Sequence, residues 1–449
     1  MGEQHRPMDV RRAGVLLHVT SLPSGDLSDA PGFVDFLADA GCTVWQVLPL
    51  VPTHDGDGSP YNSLSAMAGN PDLVGDLDVP DDGFAEWSAA QAAWLDPYVE
   101  FVALRELQDG AHWWTWDPAL RDRDAAAVAE ALGAAVDRVD ALRREQWVFA
   151  QQWERVREHA RSRGVLLFGD LPIFVSLDSA DVWAHRDLFQ LDASGQPITV
   201  TGCPPDYFAA DGQRWNNPHY DWDAMAADGF AWWRARIARQ RELFDLVRID
   251  HFRGFEAAWH IPADAPTARD GAWVTAPGDE VLSALVETAG PGSLVAEDLG
   301  VITPAVDALR LRHGLPGMKV LQFAFDGSPD NPYLPEHHGE QSVVYTGTHD
   351  NDTTAGWWAE LDDATRASVR RHLPDPAEPM PWALVRLAMS STARLAVVPA
   401  QDLLALGSDC RMNTPGTETG NWTWRADPGS FGAELAARLG ALVEDTDRG

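Results

Sequence analysis

Positive charge is scarce in this 449-residue chain: 34 Lys and Arg residues face 68 Asp and Glu, a formal net charge of -34. Such a chain repels a phosphate backbone or an anionic lipid surface at long range, which excludes nucleic acid and membrane as expected partners. Lysine itself is nearly missing, Lys319 being the only one. Coding bias with a solvated acidic surface and adaptation to a salty cytoplasm both produce that pattern. Cysteine is sparse as well. Cys42, Cys203 and Cys410 are far apart, odd in number and outside any CxxC pair, so a disulfide framework or thiolate zinc site is not expected and a reducing compartment is. No apolar run approaches the roughly 20 residues that cross a bilayer, and the polar start from Met1 to Arg12 lacks the hydrophobic stretch of a secretory signal. The expectation is a cytoplasmic protein.

What the chain does have is enough hydrophobic residues, 45%, to bury a large core. Strand-like apolar runs fall at 15–18, 44–48, 165–168, 246–249, 294–296, 318–325, 343–345 and 395–398, with helical patterns at 32–40, 230–244, 279–289, 305–312, 364–372 and 381–391. Alternating strands and helices require parallel pairing with right-handed crossovers, and eight such units close into a (β/α)8 TIM barrel, an open doubly wound α/β sheet being the alternative. The expected organisation is a single catalytic domain over 1–449 with two insertions on the C-terminal face. The first, 76–163, reads as a helical subdomain with helices at 125–144 and 147–161. The second, 176–222, is rich in Asp, Gly, Pro and aromatics, as a loop-rich substrate-covering subdomain would be. After the eighth strand the chain is too short for a C-terminal β-sandwich, and a last helix is expected at 431–443.

Three of the strand-like runs lead straight into a carboxylate: Leu246-Val-Arg-Ile-Asp250, Ser293-Leu-Val-Ala-Glu297 and Val343-Val-Tyr-Thr-Gly-Thr-His-Asp350. Acids gathered on one rim of a barrel are what nucleophilic and acid/base chemistry on a sugar requires. Arg248 lies two positions before Asp250 on the same strand face, which predicts an ionised Asp250 suited to attack. Glu297 has no basic neighbour in sequence and is followed by Asp298, which predicts a raised pKa and an acid role. Asp350, beside His349, is placed to grip sugar hydroxyls. A strand-end acid taken alone is as readily a helix cap or an ion-pair partner. The 20 tryptophans supply flat faces for stacking on sugar rings, although many belong to the core.

The runs Arg11-Arg-Ala-Gly-Val-Leu-Leu-His18, Trp45-Gln-Val-Leu-Pro-Leu50, Ser59-Pro-Tyr-Asn-Ser-Leu-Ser65, Gly169-Asp-Leu-Pro-Ile-Phe-Val175 and Pro204-Pro-Asp-Tyr-Phe208 resemble the 4-α-glucanotransferases, or amylomaltases, of the α-amylase clan. So do Gly212-Gln-Arg-Trp215, Arg248-Ile-Asp-His-Phe-Arg-Gly-Phe255, Ala296-Glu-Asp-Leu-Gly-Val-Ile-Thr303, Thr346-Gly-Thr-His-Asp-Asn-Asp-Thr-Thr354, Gln401-Asp402, Arg411-Met-Asn413 and Gly420-Asn-Trp422. The resemblance implies a retaining enzyme with Asp250 as nucleophile, Glu297 as general acid/base and Asp350 as transition-state stabiliser. It also implies substrate contacts from Tyr61, Ser59, Asp170, Asp206, Tyr207, Phe208, Trp215, Arg248, His349 and Asn413. The implied partners are α-1,4-glucans with glucose or maltooligosaccharide acceptors.

Two positions depart from the family pattern: Val19 replaces a proline after His18, and Asn216 replaces a glycine after Trp215. The second is expected to alter the cleft loop, since glycine alone is free of side-chain restriction there. The N-terminal extension of some relatives, and with it any extra glucan-binding module, is not expected. Neither a cofactor nor a metal is required: the histidines lack paired ligand spacing, and Asp350-Asn-Asp352 lacks the later residues of a calcium loop. An α-glucan hydrolase and a catalytically silent glucan-binding protein are the competing readings.

Overall fold

The computed structural model describes residues 7–449 apart from 55, 57, 206–209 and 418. Eight parallel strands form its central sheet: β1 Arg12–Leu16, β2 Val44–Gln46, β3 Leu166–Pro172, β4 Leu246–Asp250, β5 Leu294–Ala296, β6 Gly317–Val320, β7 Ser342–Tyr345 and β8 Leu395–Pro399. Their spatial order, β6-β7-β8-β1-β2-β3-β4-β5, is chain order read around a ring, as a (β/α)8 barrel requires. Each is one of the eight runs expected from sequence. The run 318–325 is shortened: the register ends with Val320 opposite Tyr345, the last residue of β7, and Leu321–Phe323 winds into a 3-10 turn that keeps one more link, from Gln322 N–H to the Thr346 carbonyl at 3.2 Å.

Alternation along the strands sorts the side chains. Leu16, Val44, Phe168, Leu246, Val295, Met318, Val320, Val343, Tyr345, Leu395 and Val397 form the inner cluster of the barrel. Their neighbours, including Val15, Trp45, Leu167, Val247, Leu294, Val344 and Ala396, face the surrounding helices. Strands buried on both faces read as continuous apolar runs, which is why they were visible in sequence. Each such buried aliphatic side chain contributes about 1.5–3 kcal/mol.

The ring is completed differently between β5 and β6. Ala296 N–H donates to the carbonyl of Pro316 at 2.8 Å, and the next link is a side chain: the Asp298 carboxylate accepts from Met318 N–H at 2.6 Å. Arg310 lies 3.0 Å from the other oxygen. Gly317 is obligatory at this splice, since a Cβ there would stand 2.3 Å from Asp298 Oδ2.

The connection from β2 to β3 holds the helices Phe84–Ala90, Ala92–Leu107, Pro118–Arg121, Ala125–Gly133 and Val136–Ser162. The two helices expected at 125–144 and 147–161 divide elsewhere: the break falls at Ala134–Ala135, after Gly133, and a 27-residue helix then runs through Trp147 without interruption. Alanine and arginine favour helix, and no Gly or Pro interrupts the stretch. This long helix is tied to the loop after β2 by two glutamines that each pair with one backbone amide, Gln146 with Gly69 and Gln152 with Gly75.

In the segment 176–222 lie the strands Thr199–Cys203 and Gln213–Pro218. Their sheet extends past the expected boundary, because Thr199–Cys203 also pairs with Ala257–Pro262, which pairs with Ala272–Thr275 from the loop after β4. These strands are short, and Gln213–Pro218 is mostly polar, so the sequence does not signal the sheet. The last helix, Ala433–Asp445, returns beside Ala30–Asp39, where Phe431 meets Phe33 at 4.8 Å.

Candidate active site

Period-two alternation aims the site residues inward. Asp170 follows Phe168, Arg248 and Asp250 follow Leu246, and Glu297 follows Val295, each at even spacing from an inner-face residue. Asp170 also stands directly opposite Arg248 in the strand register. The polar groups therefore occupy the layer above the apolar filling, at the C-terminal mouth.

Arg248 joins two carboxylates. One guanidinium nitrogen reaches both oxygens of Asp170, at 2.8 and 2.6 Å, and another reaches Asp250 at 2.8 Å. Asp170 is fully buried and Arg248 nearly so. Burial pulls Arg248 down, yet Asp170 and Asp250 outweigh it and hold the guanidinium well above its ordinary pKa. Tyr61 donates its hydroxyl to Asp170 at 2.7 Å and stacks on His349, with ring centroids 5.2 Å apart and 14° between planes.

The expectation that Arg248 would hold Asp250 at an ordinary acidic pKa does not survive. Burial pushes Asp250 up to about 8; Arg248 opposes this, while Asp170, Glu297 and Asp350 add to it. Glu297 is raised too, chiefly by burial, with Asp298 the smallest contributor, and Arg248 reaches across from the neighbouring strand to oppose the shift. Burial thus raises both carboxyls, Asp250 and Glu297, and Arg248 opposes the shift at each.

A backbone kink links that pair. His251 takes a left-handed φ of 50°, uncommon for a residue with a side chain. Its N–H thereby meets Glu297 Oε2 at 2.7 Å, and Leu299 N–H donates to Oε1 at 2.9 Å. The backbones are stitched as well: Glu297 N–H donates to Ile249, and Phe252 N–H donates to Glu297.

Asp350 lies on the loop after β7. Asn413 Nδ2 donates to its carboxylate at 2.6 Å, and Arg411 donates to its carbonyl at 2.7 Å. His349 Nε2 is 3.5 Å from the same carboxylate, and burial lowers the imidazole's pKa, with Asp350 acting in the opposite sense. Trp215 stands edge-on to His251 at 4.8 Å. Ser59 plays a different part from the others, its hydroxyl accepting from Tyr61 N–H at 3.3 Å and so shaping the turn that presents the ring. Asp206, Tyr207 and Phe208 lie outside the described residues.

Three participants were given no role from sequence. Trp422 lies 6.0 Å from both Tyr61 and His349, Arg411 braces Asp350, and His251 acts through its main chain. The tryptophan after Gly420-Asn421 was a usable signal; a main-chain donor leaves none. The two departures also find their places. Asn216 has φ 65°, the left-handed region in which asparagine is the best tolerated residue after glycine, and its Oδ1 accepts from Arg214 Nε at 2.6 Å. Val19 opens a buried 3-10 turn, a helix-start position that suits proline but does not demand it.

Comparison with known proteins agrees with this geometry. The profile of the 4-alpha-glucanotransferase family matches residues 17–79 and 76–430. A 4-alpha-glucanotransferase of Thermus thermophilus is 46% identical over 501 aligned positions, spanning 98% of this chain and 100% of the relative. One from Synechocystis is 43% identical over 499 positions, spanning 97% and 98%. Among solved structures, an amylomaltase from Streptococcus agalactiae in complex with acarbose superposes with a TM-score of 0.92 at 32% identity, covering 98% of this chain and 100% of that one. Because 501 aligned positions exceed the 449 residues available, at least 52 positions of the Thermus alignment have no counterpart here. The two family matches meet at 76–79, just before the helix Phe84–Ala90. The chain belongs to the 4-alpha-glucanotransferase family.

Proposed function

We propose that this chain transfers segments of an α-1,4-glucan to the 4-hydroxyl of an acceptor glucose or glucan by a retaining double displacement. The observation that carries the reading is the meeting of two carboxylates at the barrel mouth, Asp250 held by Arg248 at 2.8 Å and Glu297 held by the His251 and Leu299 amides. Family membership and the acarbose complex of the Streptococcus neighbour support the substrate class.

In the first half-reaction, Asp250 attacks the anomeric carbon while Glu297 gives its proton to the departing glycosidic oxygen. A covalent glucosyl-enzyme and a shortened glucan result. The proton must sit on Glu297 at that moment, and the guanidinium at 2.8 Å favours this arrangement by stabilising the charged form of Asp250. Glu297 then takes the proton of an incoming 4-hydroxyl, whose oxygen displaces Asp250 with α configuration retained. Asp350, oriented by Asn413, binds sugar hydroxyls and gains strength as the ring becomes oxocarbenium-like. Tyr61, Asp170, His349 and Trp422 form the wall of the donor sugar's subsite.

Transfer wins over hydrolysis when the acceptor is positioned and water is kept out. We assign that shielding to the 176–222 segment, with Trp215 beside His251, Asp206, Tyr207 and Phe208 in the same insertion, and the helical insertion 76–163 as its flank. We place the reaction in a reducing cytoplasm, a reading supported by the cysteine pattern. The test is a time course with maltotriose. Glucose together with maltopentaose and longer chains is expected; glucose and maltose alone would replace transfer by hydrolysis, and no products would remove the reading.

A further inference from the structure

The mechanism leaves the buried carboxylate of Asp402 without a task. Asp402 follows β8 and is 1% exposed. Its Oδ2 accepts from the hydroxyls of Thr346 and Thr354, each at 2.6 Å, and its Oδ1 accepts from Thr354 N–H at 2.7 Å. All three donors are neutral, so the carboxylate is held by hydrogen bonds in place of a counter-charge. Burying an acid in this way is costly and calls for a return elsewhere.

The two threonines are the two ends of one loop. Thr346 is the first residue past β7 and Thr354 begins the helix Thr354–Glu360. Between them lie His349 and Asp350. One oxygen of one carboxylate therefore fastens both ends of the loop that carries two site residues, while Arg411 and Asn413 hold its middle. All of these braces come from the chain after β8. Gln322, from the loop after β6, adds a bond from its side chain to the Asp352 carbonyl at 2.9 Å.

We infer that Asp402 is a positioning residue for the reaction, fixing the 346–354 loop so that Asp350 and His349 meet the sugar ring in reactive geometry. The inference rests on the role proposed above for Asp350. A displacement of about 1 Å at a group that acts in the transition state costs on the order of 100-fold in rate, with far less effect on ground-state binding.

The experiment is a double-mutant cycle read with an activated α-glucosyl fluoride donor, whose good leaving group keeps impaired variants measurable. Asp402→Asn is expected to lower kcat by about 10- to 100-fold while calorimetric affinity for maltotriose stays within about threefold. In an Asp350→Asn background the same substitution is expected to cost no more than about threefold further, because both changes remove one interaction. Thr346→Val and Thr354→Val, which each delete a single hydroxyl, are expected to reproduce part of the kcat loss and keep the fold if Asp402→Asn does not. Full additivity in the Asp350→Asn background, or an unchanged kcat in Asp402→Asn and both valine variants, overturns the inference. An Asp350→Asn enzyme of undiminished activity would instead overturn the site assignment, and the positioning role with it.

Discussion

Two buried arginines sit at opposite ends of the barrel and have opposite surroundings. Arg248, at the C-terminal mouth, bonds the carboxylates of Asp170 and Asp250. Arg448, at the N-terminal end, is fully buried and donates to backbone carbonyls only: Met389 and Ser391 at 2.6 Å, Arg12 at 3.1 Å and Arg394 at 3.4 Å. Burial, with Arg11 nearby, lowers Arg448 to about 9, while its counterpart at the mouth is driven the other way. The same side chain thus serves as a structural clasp where it meets dipoles and as an electrostatic hub where it meets charges. The mouth concentrates unlike charges that can be rearranged by a reaction; the base spends its arginine on holding chain ends together.

That contrast can be broken in several ways. Asp250→Asn should lower kcat by about 10⁴-fold with maltooligosaccharide affinity nearly intact, as isothermal titration and product analysis would show. Normal turnover would remove the nucleophile from the mouth and the functional half of the comparison with it. Arg248→Met leaves two carboxylates unpaired and should cost about 3–5 kcal/mol of stability along with at least about 1,000-fold in rate. Arg448→Met should show the other behaviour: a loss of about 3 kcal/mol in urea unfolding from the orphaned carbonyls, and kcat per folded molecule within about twofold of the parent. A large kcat effect there would mean the two ends are coupled.

The pH response sharpens the comparison further. With Glu297 the proposed acid and Asp250 the proposed nucleophile, and both carboxyls raised by burial, kcat/KM should follow a bell shifted above the ordinary carboxylate range. Stability should follow Asp250. A carboxyl raised on folding favours the folded state below its unfolded value near 4, and that contribution disappears as pH rises through about 8. The melting temperature of the free protein is therefore expected to decline between pH 6 and 9, with a shallower decline in Asp250→Asn; parallel slopes in the two proteins would refute the assignment. The smallest effect is expected from Tyr61→Phe, which keeps the stack on His349 and removes one hydrogen bond to the buried Asp170, about tenfold in kcat/KM.

Much of this was legible in the chain, for reasons that particular residues make plain. A parallel strand covered on both faces must be apolar at most positions, so Leu246-Val247 and Leu294-Val295 announce themselves, and the carboxylate that ends each run marks the rim. Asp250 and Glu297 were found by that rule. What sequence could not carry was interaction across strands. Nothing near Glu297 in the chain predicts that Arg248 reaches it, or that His251 bends into a left-handed conformation to offer an amide. The pKa of Asp250 escaped for the same reason: the partner two residues away was visible, and the burial together with three acids from other strands was not. The four-stranded antiparallel sheet escaped because Gln213–Pro218 is mostly polar and only partly buried, Ala272–Thr275 is exposed throughout, and neither alternates between apolar and polar.

The splice between β5 and β6 ties the making of the barrel to the making of the catalyst. The carboxylate that closes the ring, Asp298, is the next residue after the proposed acid, Glu297; Met318 N–H of β6 seats the first, and His251 N–H, just past β4, helps seat the second. A ring that breathes open at this splice releases its proton donor in the same motion. On warming, amide exchange at Met318 is expected to keep pace with the loss of transfer, not with the loss of the fold; exchange that follows unfolding would separate the splice from the acid.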